Sequence, residues 1–379
     1  MQVLYKLPEF RHAVLSYKPK NPGSTSERLL LSMQKLFNKL ENQGDAFAPQ
    51  EFVNSIFTTF PQFAEVDSES RSYQQQDADE CFQLILHQIA PLLETEIQQN
   101  QIGLVNKLFE IRFGSKLVNK EDPNDATDTK VEINNKLTCI IDNQMNPVNN
   151  ISEGIKVALE EEVEKFSDIH QKNCVFVKKS QMLNLPDYLI VQKIRFVWRE
   201  ADIYTKTEAR KAKILRNVAF PKILDVYEFC DDSLKKELEP VRKQADEKTE
   251  AEKKKSKDLF EEFKKQHANE EADTYKLYKK YKEQEKKEEA EKHDSELWGD
   301  IESGNDTGYY ELVGIITHKG RSSDSGHYVA WVHYKDDKWL KYDDDLVTEV
   351  SIEDVLNLRG GGDWHMAYYL MYRKLKFRG

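Results

Sequence analysis

The chain has 379 residues, more than one typical domain holds, so we expect about two domains or one large one. Its formal net charge of -11 argues against a nucleic acid as partner, because nucleic-acid binders need a positive surface to displace counterions from phosphates. Charged residues make up 32% of the chain against a usual share of about 25%, so we expect one stretch to be solvated rather than packed.

Cys81, Cys139, Cys174 and Cys230 stand far apart and form no Cys-x-x-Cys pair. This spacing indicates neither a zinc site nor a disulfide framework, and it favours reduced thiols in a cytoplasmic or nuclear protein. No apolar run is long enough to cross a membrane, and the amino terminus does not read as a secretory signal. We therefore expect no metal, no cofactor and no membrane partner.

The first hundred residues are predicted to be helical. Apolar residues spaced at three and four predict a helix over Glu27–Glu41. A second helix is predicted between Pro49 and Pro61, and a third from near Gln76 to just before Pro91.

After residue 105, short apolar or β-branched runs predict strands. They are Leu108–Phe113, Val131–Ile141, Cys174–Lys178 and Tyr188–Val197. A helix is predicted over Ile151–Phe166, because Ile155, Leu159 and Val163 have helical spacing and Ser152 is available as a cap.

The solvated stretch is residues 241–296, which contain 16 Lys and Arg against 17 Asp and Glu and no glycine. This composition favours a helix, about 80 Å long if it is continuous. Its apolar residues form short patches rather than sustained heptads. A solvated helical insert and a partner-docking arm are the two interpretations that the sequence leaves open.

Strands resume after this insert with the clearest pattern in the chain. Four runs alternate or are apolar, with Gly and Asp turns between them, and they predict an antiparallel sheet. They are Tyr309–His318, Tyr328–Tyr334, Trp339–Tyr342 and Met366–Tyr372. The acidic segment Lys335–Lys338 is predicted to be the turn that joins two of these strands.

One of these strands begins at His327, and Asp343 follows across the hairpin. Neighbouring antiparallel strands would bring the two side chains together. A carboxylate on one imidazole nitrogen fixes the tautomer that leaves the other nitrogen as a base. The spacing alone leaves a catalytic pair and a structural pair as alternatives.

The sequence around this pair resembles the carboxyl-terminal signature of the ubiquitin-specific protease family of cysteine deubiquitinases. The matching segments are Leu312–Gly320, Ser325–Val329, Trp339–Asp344 with Val347 and, upstream, Gln75–Glu80 and Leu185–Phe196. The ending Gly360–Tyr368 resembles the proteasome-associated branch, the ubiquitin-specific protease 14 type. The resemblance covers nearly the whole chain apart from the charged insert.

The resemblance implies an α+β, papain-like hand with a helical thumb, an antiparallel β palm and β fingers that grip ubiquitin. The thumb would be residues 1–104, the fingers and part of the palm 105–198, the palm and a cleft loop 199–240, the charged helical insert 241–296 and the rest of the palm 297–379. The activity would be removal of ubiquitin from protein conjugates. Ubiquitin and ubiquitinated proteins would be partners, and the proteasome regulatory particle would be a further one.

By the same resemblance, His327 would be the catalytic base, Asp343 its orienting partner and Asp344 a polar assistant. Two polar loops, Arg199–Lys213 and Gly320–Ser325, would cover the cleft and move before ubiquitin enters.

The resemblance also implies a site for the ubiquitin tail. Asp77 and Glu80, next to Gln76, would pair with basic residues of that tail, or would be acidic residues favoured by the helix dipole. Phe196 and Tyr368 would line the tail channel, or would be ordinary core aromatics. Ser325, beside the base, would be a further ubiquitin-binding residue.

The family's nucleophilic cysteine stands at the start of a helix, near an asparagine of the oxyanion hole. The segment that carries it precedes the stretch that Met1–Tyr5 resembles, so we expect both residues to be missing from the chain as given. None of the four cysteines present precedes a helix at its amino end, where a thiolate would be stabilised. Two hypotheses follow: a deubiquitinase whose amino terminus is incomplete here, or a pseudoprotease that acts as a ubiquitin-binding or scaffold protein.

Overall fold

The computed structural model describes residues 1–21, 23–66, 71, 73–93, 103–142, 147–199, 210–266, 298–299, 301, 304–320, 326–362 and 364–378. The chain divides into two compact units. The first comprises Met1–Leu224 and Leu312–Arg373, and the second comprises Asp225–Glu311 and Lys374–Gly379. Across the described ranges, no helix combines the length and apolar character that crossing a membrane requires.

Helices make up the amino-terminal part of the first unit. The helices α1 to α6 are Gln2–Tyr5, Pro8–Ser16, Thr25–Asn42, Gln50–Thr59, Ala78–Leu93 and Leu104–Phe109. Helix α3 begins where the Ser24 hydroxyl accepts a hydrogen bond from the Glu27 amide at 3.1 Å, and its apolar stripe is buried. The three predicted helices are confirmed, although α5 continues through Pro91 instead of ending before it.

Five strands form the first sheet. They are β1 (Ile111–Asn119), β2 (Ala126–Asp128), β3 (Glu132–Asn134), β5 (Glu160–Ser167) and β6 (Lys172–Met182). The order is β2-β1-β6-β5 with β3 also on β1, and the pairs are antiparallel. The strand predicted over Leu108–Phe113 begins only at Ile111, because the residues before it complete α6.

The helix predicted over Ile151–Phe166 is correct only in its first half. Helix α7 is Ile151–Leu159, capped by the Asn150 side chain rather than by Ser152, and the chain continues directly as β5. Glutamates of β5 lie opposite lysines of β6, as in the pair Glu160 and Lys179 with 3.2 Å between Oε1 and Nζ. Cross-strand pairing therefore overrides the helical spacing of the apolar residues.

The second sheet positions the predicted site. Seven of its nine strands form one path, and they are β4 (Leu137–Ile140), β7 (Tyr188–Ile194), β12 (Asn305–Lys319), β13 (His327–Lys335), β14 (Lys338–Asp343), β15 (Leu346–Ser351) and β16 (Met366–Phe377). The order is β15-β14-β13-β12-β16-β7-β4. The antiparallel pairing and the turn after Lys335 are confirmed, but β4 and β7 run parallel. The sequence did not predict β15, whose Leu346 and Val347 are about half exposed and give no alternation.

Shorter elements complete the first unit. Strands β8 (Phe196–Arg199) and β9 (Arg210–Lys213) form a separate two-stranded hairpin. Helix α9 (Ile352–Leu356) begins with a capping box in which Ser351 and Asp354 exchange hydrogen bonds. The strand β10 (Ile223–Asp225) runs to the boundary of the two units.

The second unit contains the helix α8 (Asp232–Gln266) and the strand β11 (Trp298–Gly299), which pairs with the end of β16. The predicted charged helix is thus confirmed as far as Gln266, and residues 267–296 lie outside the described ranges. Arg242 of α8 lies between the rings of Tyr227 and Tyr309, 4.6 and 4.3 Å from their centroids, and its Nη2 is 2.7 Å from Asp225 Oδ2. Stacking and a two-point ion pair therefore hold this helix in its unit. The division of the whole chain into thumb, fingers, palm and insert stays a prediction.

Candidate active site

A histidine and an aspartate meet at one end of the β13–β14 hairpin. His327 is the first residue of β13 and Asp343 is the last residue of β14, and antiparallel pairing places these ends side by side. The Nε2 atom of His327 lies 2.6 Å from Oδ1 of Asp343. The carboxylate thereby holds the proton on Nε2 and leaves Nδ1 as the nitrogen that can accept one. The two residues predicted as a catalytic pair are adjacent in the structure.

Lys341 engages the other oxygen of the same carboxylate. Its Nζ lies 2.6 Å from Oδ2 of Asp343, two residues away on the same face of β14. The hydrogen bonds from Lys341 and from His327 lower the pKa of Asp343 to about 2, so this carboxylate is charged at neutral pH. A permanently charged aspartate can both orient the imidazole and stabilise the imidazolium that forms when Nδ1 takes a proton.

Asp344 lies beside the pair without joining it. It begins the two-residue turn into β15 with a φ of +53°, a conformation that aspartate tolerates. Its side chain is 81% exposed, and Oδ2 lies 3.9 Å from His327 Nε2, beyond hydrogen-bonding distance. His327, Asp343 and Asp344 offer ligand atoms within 4.8 Å of one another. Both oxygens of Asp343 already accept hydrogen bonds, so the arrangement suits an oriented imidazole better than a metal ion.

Asp77 precedes helix α5, and its carboxylate is bound by an aromatic hydroxyl. The Tyr368 hydroxyl lies 2.9 Å from both Oδ1 and Oδ2 of Asp77, and it accepts a hydrogen bond from Gln192 Nε2 at 2.9 Å. Asp77 Oδ1 also accepts from the Asp79 amide at 2.8 Å, in the first turn of the helix. Half-buried and held from two sides, Asp77 is a rigid carboxylate of the kind that binds a guanidinium well.

Aromatic rings surround this carboxylate. Phe196 packs edge-on against Tyr368 and His318, with centroid distances of 5.8 and 5.2 Å. Tyr328, the residue after the candidate base, lies 4.8 Å from His318 and 6.2 Å from Tyr368. We call Asp77, Phe196, His318, Tyr328 and Tyr368 the tail cluster. The predicted channel residues Phe196 and Tyr368 therefore lie in one cluster with Asp77, next to the strand end that carries His327.

Gln76, Glu80 and Ser325, the other predicted ubiquitin-binding residues, are not part of the tail cluster. Gln76 is half-buried, and its Nε2 lies 3.3 Å from the Gln62 carbonyl oxygen. Glu80 is exposed in the first turn of α5, so it can meet a partner only at the surface. Ser325 lies outside the described residues.

Three residues of this region, Lys341, Gln192 and His318, were not predicted from the sequence. Lys341 could have been found from the two-residue period of its strand, because a cation two residues before Asp343 must share its face. His318 belongs to the tail cluster and Gln192 contacts it at Tyr368, both through strand pairing across the sheet, and the sequence carries no local signal for these contacts.

Two buried histidines give the first unit a specific acid sensitivity. Burial, and then the Lys213 ammonium, lowers the pKa of His318 to about 4, while burial and Lys341 lower that of His365 to about 4. When the chain unfolds, both imidazoles return to an ordinary pKa near 6.5 and take up protons. We expect the free energy of unfolding to fall as pH drops from 6.5 to 4, by up to about 1.4 kcal/mol per pH unit for each histidine.

Urea unfolding at pH 7.5, 6.0 and 5.0 measures this dependence. The variant His365→Gln should show roughly half the loss, because one of the two proton-binding groups is removed. Equal stability at pH 7.5 and 5.0 in the unmodified chain would contradict the expectation.

Several known proteins are similar in sequence to this chain over almost its whole length. The family profile described as "Ubiquitin carboxyl-terminal hydrolase" matches residues 1–372. Two Arabidopsis thaliana proteins, ubiquitin carboxyl-terminal hydrolases 6 and 7, are 32% and 33% identical over 98% of this chain and 74% of their own length. Ubiquitin carboxyl-terminal hydrolase 14 of Caenorhabditis elegans is 34% identical over 92% of this chain and 65% of its own length.

Proposed function

The chain belongs to the ubiquitin carboxyl-terminal hydrolase family, and we propose that it acts as a cysteine deubiquitinase that removes ubiquitin from protein conjugates. The observation that carries this proposal is the His327 and Asp343 pair at 2.6 Å, next to the tail cluster. Asp343 fixes the imidazole, and Asp77 offers a rigid carboxylate to a basic residue of the ubiquitin tail. The proposed base, His327, and the proposed anchor for the ubiquitin tail, Asp77, thus lie in the same unit.

In the proposed reaction, Nδ1 of His327 takes the proton of a cysteine thiol, and the thiolate attacks the carbonyl carbon of ubiquitin's terminal glycine. The bond to the lysine amine breaks as Nδ1 returns the proton to that leaving group. A thioester remains, and water activated by the same nitrogen hydrolyses it. Asp343 stays ionised throughout and stabilises the imidazolium.

The four thiols present do not provide the nucleophile in this proposal. Burial raises the pKa of Cys81 on α5, and it raises those of Cys139 and Cys230 to about 11 and about 12. Cys174 is buried within β6, in the first sheet. Contrary to the expectation from the sequence, Cys230 does precede a helix, α8, which begins at Asp232, but this thiol is completely buried in the second unit. A nucleophilic cysteine needs a lowered pKa and access to substrate. We therefore propose that these 379 residues alone are inactive and that a thiol from outside them completes the site.

Hydrolysis of ubiquitin-aminomethylcoumarin tests this directly. A preparation of the 379-residue chain, with its mass verified, is expected to release no coumarin above background. Release that disappears in the variant Cys81→Ser would overturn the proposal, because it would place the nucleophile on α5. The variant Cys139→Ser is the control, since that thiol is fully buried in β4.

A ubiquitin-binding protein without catalysis is the second candidate function, and the raised thiol pKa values favour it. The full-length gene product distinguishes the two candidates. A deubiquitinase cleaves the coumarin substrate and loses this activity on thiol alkylation, whereas a pseudoprotease binds ubiquitin in either state.

We also propose an association with the proteasome regulatory particle. Its supports are the ending Gly360–Tyr368, which resembles the proteasome-associated branch, and the similarity to the Caenorhabditis elegans protein named ubiquitin carboxyl-terminal hydrolase 14. Co-sedimentation of the full-length gene product with purified regulatory particles is the expected result, and separate migration would refute it. A cytoplasmic or nuclear location stays a prediction.

A further inference from the structure

Lys213, the last residue of β9, is bonded to the end of strand β12. Its Nζ lies 3.0 Å from His318 Nδ1, 2.8 Å from the His318 carbonyl oxygen and 2.9 Å from the Gly320 carbonyl oxygen. An ammonium group has three protons, and here three acceptors converge on it. This ammonium group therefore links the end of β9 to the carboxyl-terminal end of β12.

The contact with the ring fixes the tautomer of His318. An ammonium group donates and cannot accept, so Nδ1 must be the unprotonated nitrogen and Nε2 must carry the proton. His318 is fully buried, and its Nε2 has no hydrogen-bond partner among the described residues. A buried donor without an acceptor is costly, so this tautomer has to be imposed by the contact of Lys213 with Nδ1.

The position of Gly326 shows where this donor lies. A Cβ atom built on Gly326 would overlap both His318 Nε2 and the carbonyl oxygen of Lys319, so only glycine fits there. Gly326 directly precedes His327, and Lys319 pairs with His327 across β12 and β13. The Nε2 proton of His318 therefore lies at the strand end that carries the candidate base.

We propose that Lys213 is a positioning residue that holds His318 in the neutral Nε2–H tautomer and fixes, through the carbonyls of His318 and Gly320, the strand end that carries His327. Neither the tautomer nor the anchoring depends on the proposed function.

The charged surroundings of His318 agree with a neutral ring. Besides Lys213 on β9, the titratable groups that face it are His327 and Tyr328 on β13 and His365 before β16. None of these side chains supplies a negative charge at neutral pH, and burial together with the Lys213 cation keeps the pKa of His318 at about 4. Removing the cation should therefore raise that pKa towards its ordinary range.

Long-range ¹H–¹⁵N spectra of the imidazoles test the proposal on the 379-residue chain, because ring-nitrogen shifts identify each tautomer. The His318 signals are assigned by their loss in His318→Gln. In the unmodified chain at pH 6.5 we expect the pure Nε2–H form. An Nδ1–H form or an imidazolium at that pH overturns the proposal without any further variant.

The variant Lys213→Met should give a mixture of tautomers and protonation of His318 at a higher pH than in the unmodified chain. Lys213→Arg keeps a cationic donor and should retain the Nε2–H form. Lys222→Met is the matched control, because the Lys222 side chain pairs with the exposed Asp337, and the His318 signals of this variant should not change. An unchanged His318 spectrum in a folded Lys213→Met chain would overturn the proposal.

Catalysis by the full-length gene product provides a separate readout. Lys213→Met should lower kcat/KM at pH 5.5 more than at pH 8, because a protonated His318 then lies beside His327. An equal fractional loss at both pH values would indicate a merely structural lysine. Absence of hydrolysis by the unmodified gene product would count against the proposed function alone and would leave the spectroscopic test intact.

Discussion

The variant His327→Ala of the full-length gene product is expected to lose ubiquitin hydrolysis by about 10²–10⁴-fold in kcat. The imidazole is the group that takes the thiol proton and returns it to the leaving amine, and Asp343 holds it in the required orientation at 2.6 Å. Substrate binding depends on other residues, so KM should change much less than kcat.

Hydrolysis of ubiquitin-aminomethylcoumarin at several substrate concentrations measures both parameters. The matched control is His333→Ala on the same strand, where the ring lies 2.6 Å from the Asp336 carbonyl oxygen in the hairpin turn. That variant should keep nearly full activity. If the two variants lost activity equally, His327 would not be the base.

Replacing Arg195 by methionine is expected to lower the free energy of unfolding by about 3–5 kcal/mol. The guanidinium is completely buried and donates to four backbone carbonyls in three separate segments. Those carbonyls belong to Ala367, Ile214, Arg216 and Arg359, at 2.8–3.1 Å. Burial lowers the pKa of Arg195 to about 10, so it remains charged at neutral pH. Methionine fills part of the space but leaves the four acceptors without their donor.

Denaturant unfolding with a fit to the transition midpoint checks this loss. Arg112→Met on β1 is the control, because its side chain is 43% exposed and its ion pair with Glu110 spans 4.0 Å. A surface arginine of this kind should change stability by less than about 0.5 kcal/mol. A cost for Arg195→Met as small as that of the control would show that the four hydrogen bonds do not stabilise the fold.

The sequence predicted the central part of the site because that part is local in the chain. His327 and Asp343 belong to one hairpin, and the acidic turn between their strands is recognisable from its composition. The amphipathic helices α3 and α4 were predicted for a similar reason, since their apolar stripes face the core.

The remaining features depend on contacts between distant segments. Glu160 starts a strand, not a further helical turn, because residues 160–167 pair along their whole length with β6. Lys213 reaches His318 across 105 positions, and Tyr368 reaches Asp77 across 291. Neither contact produces a periodic pattern in the sequence, so neither could be predicted from the sequence alone.

We propose that this chain binds the ubiquitin tail at Asp77, beside the His327 and Asp343 pair. Calorimetric titration of the 379-residue chain with ubiquitin, and with ubiquitin lacking its carboxyl-terminal tail, measures this binding. We expect saturable binding of intact ubiquitin, and affinity at least about tenfold weaker both for the truncated form and for the variant Asp77→Asn. The exposed helix variant Glu353→Gln should bind like the unmodified chain. Equal affinity for intact and truncated ubiquitin would show that the chain does not bind the ubiquitin tail.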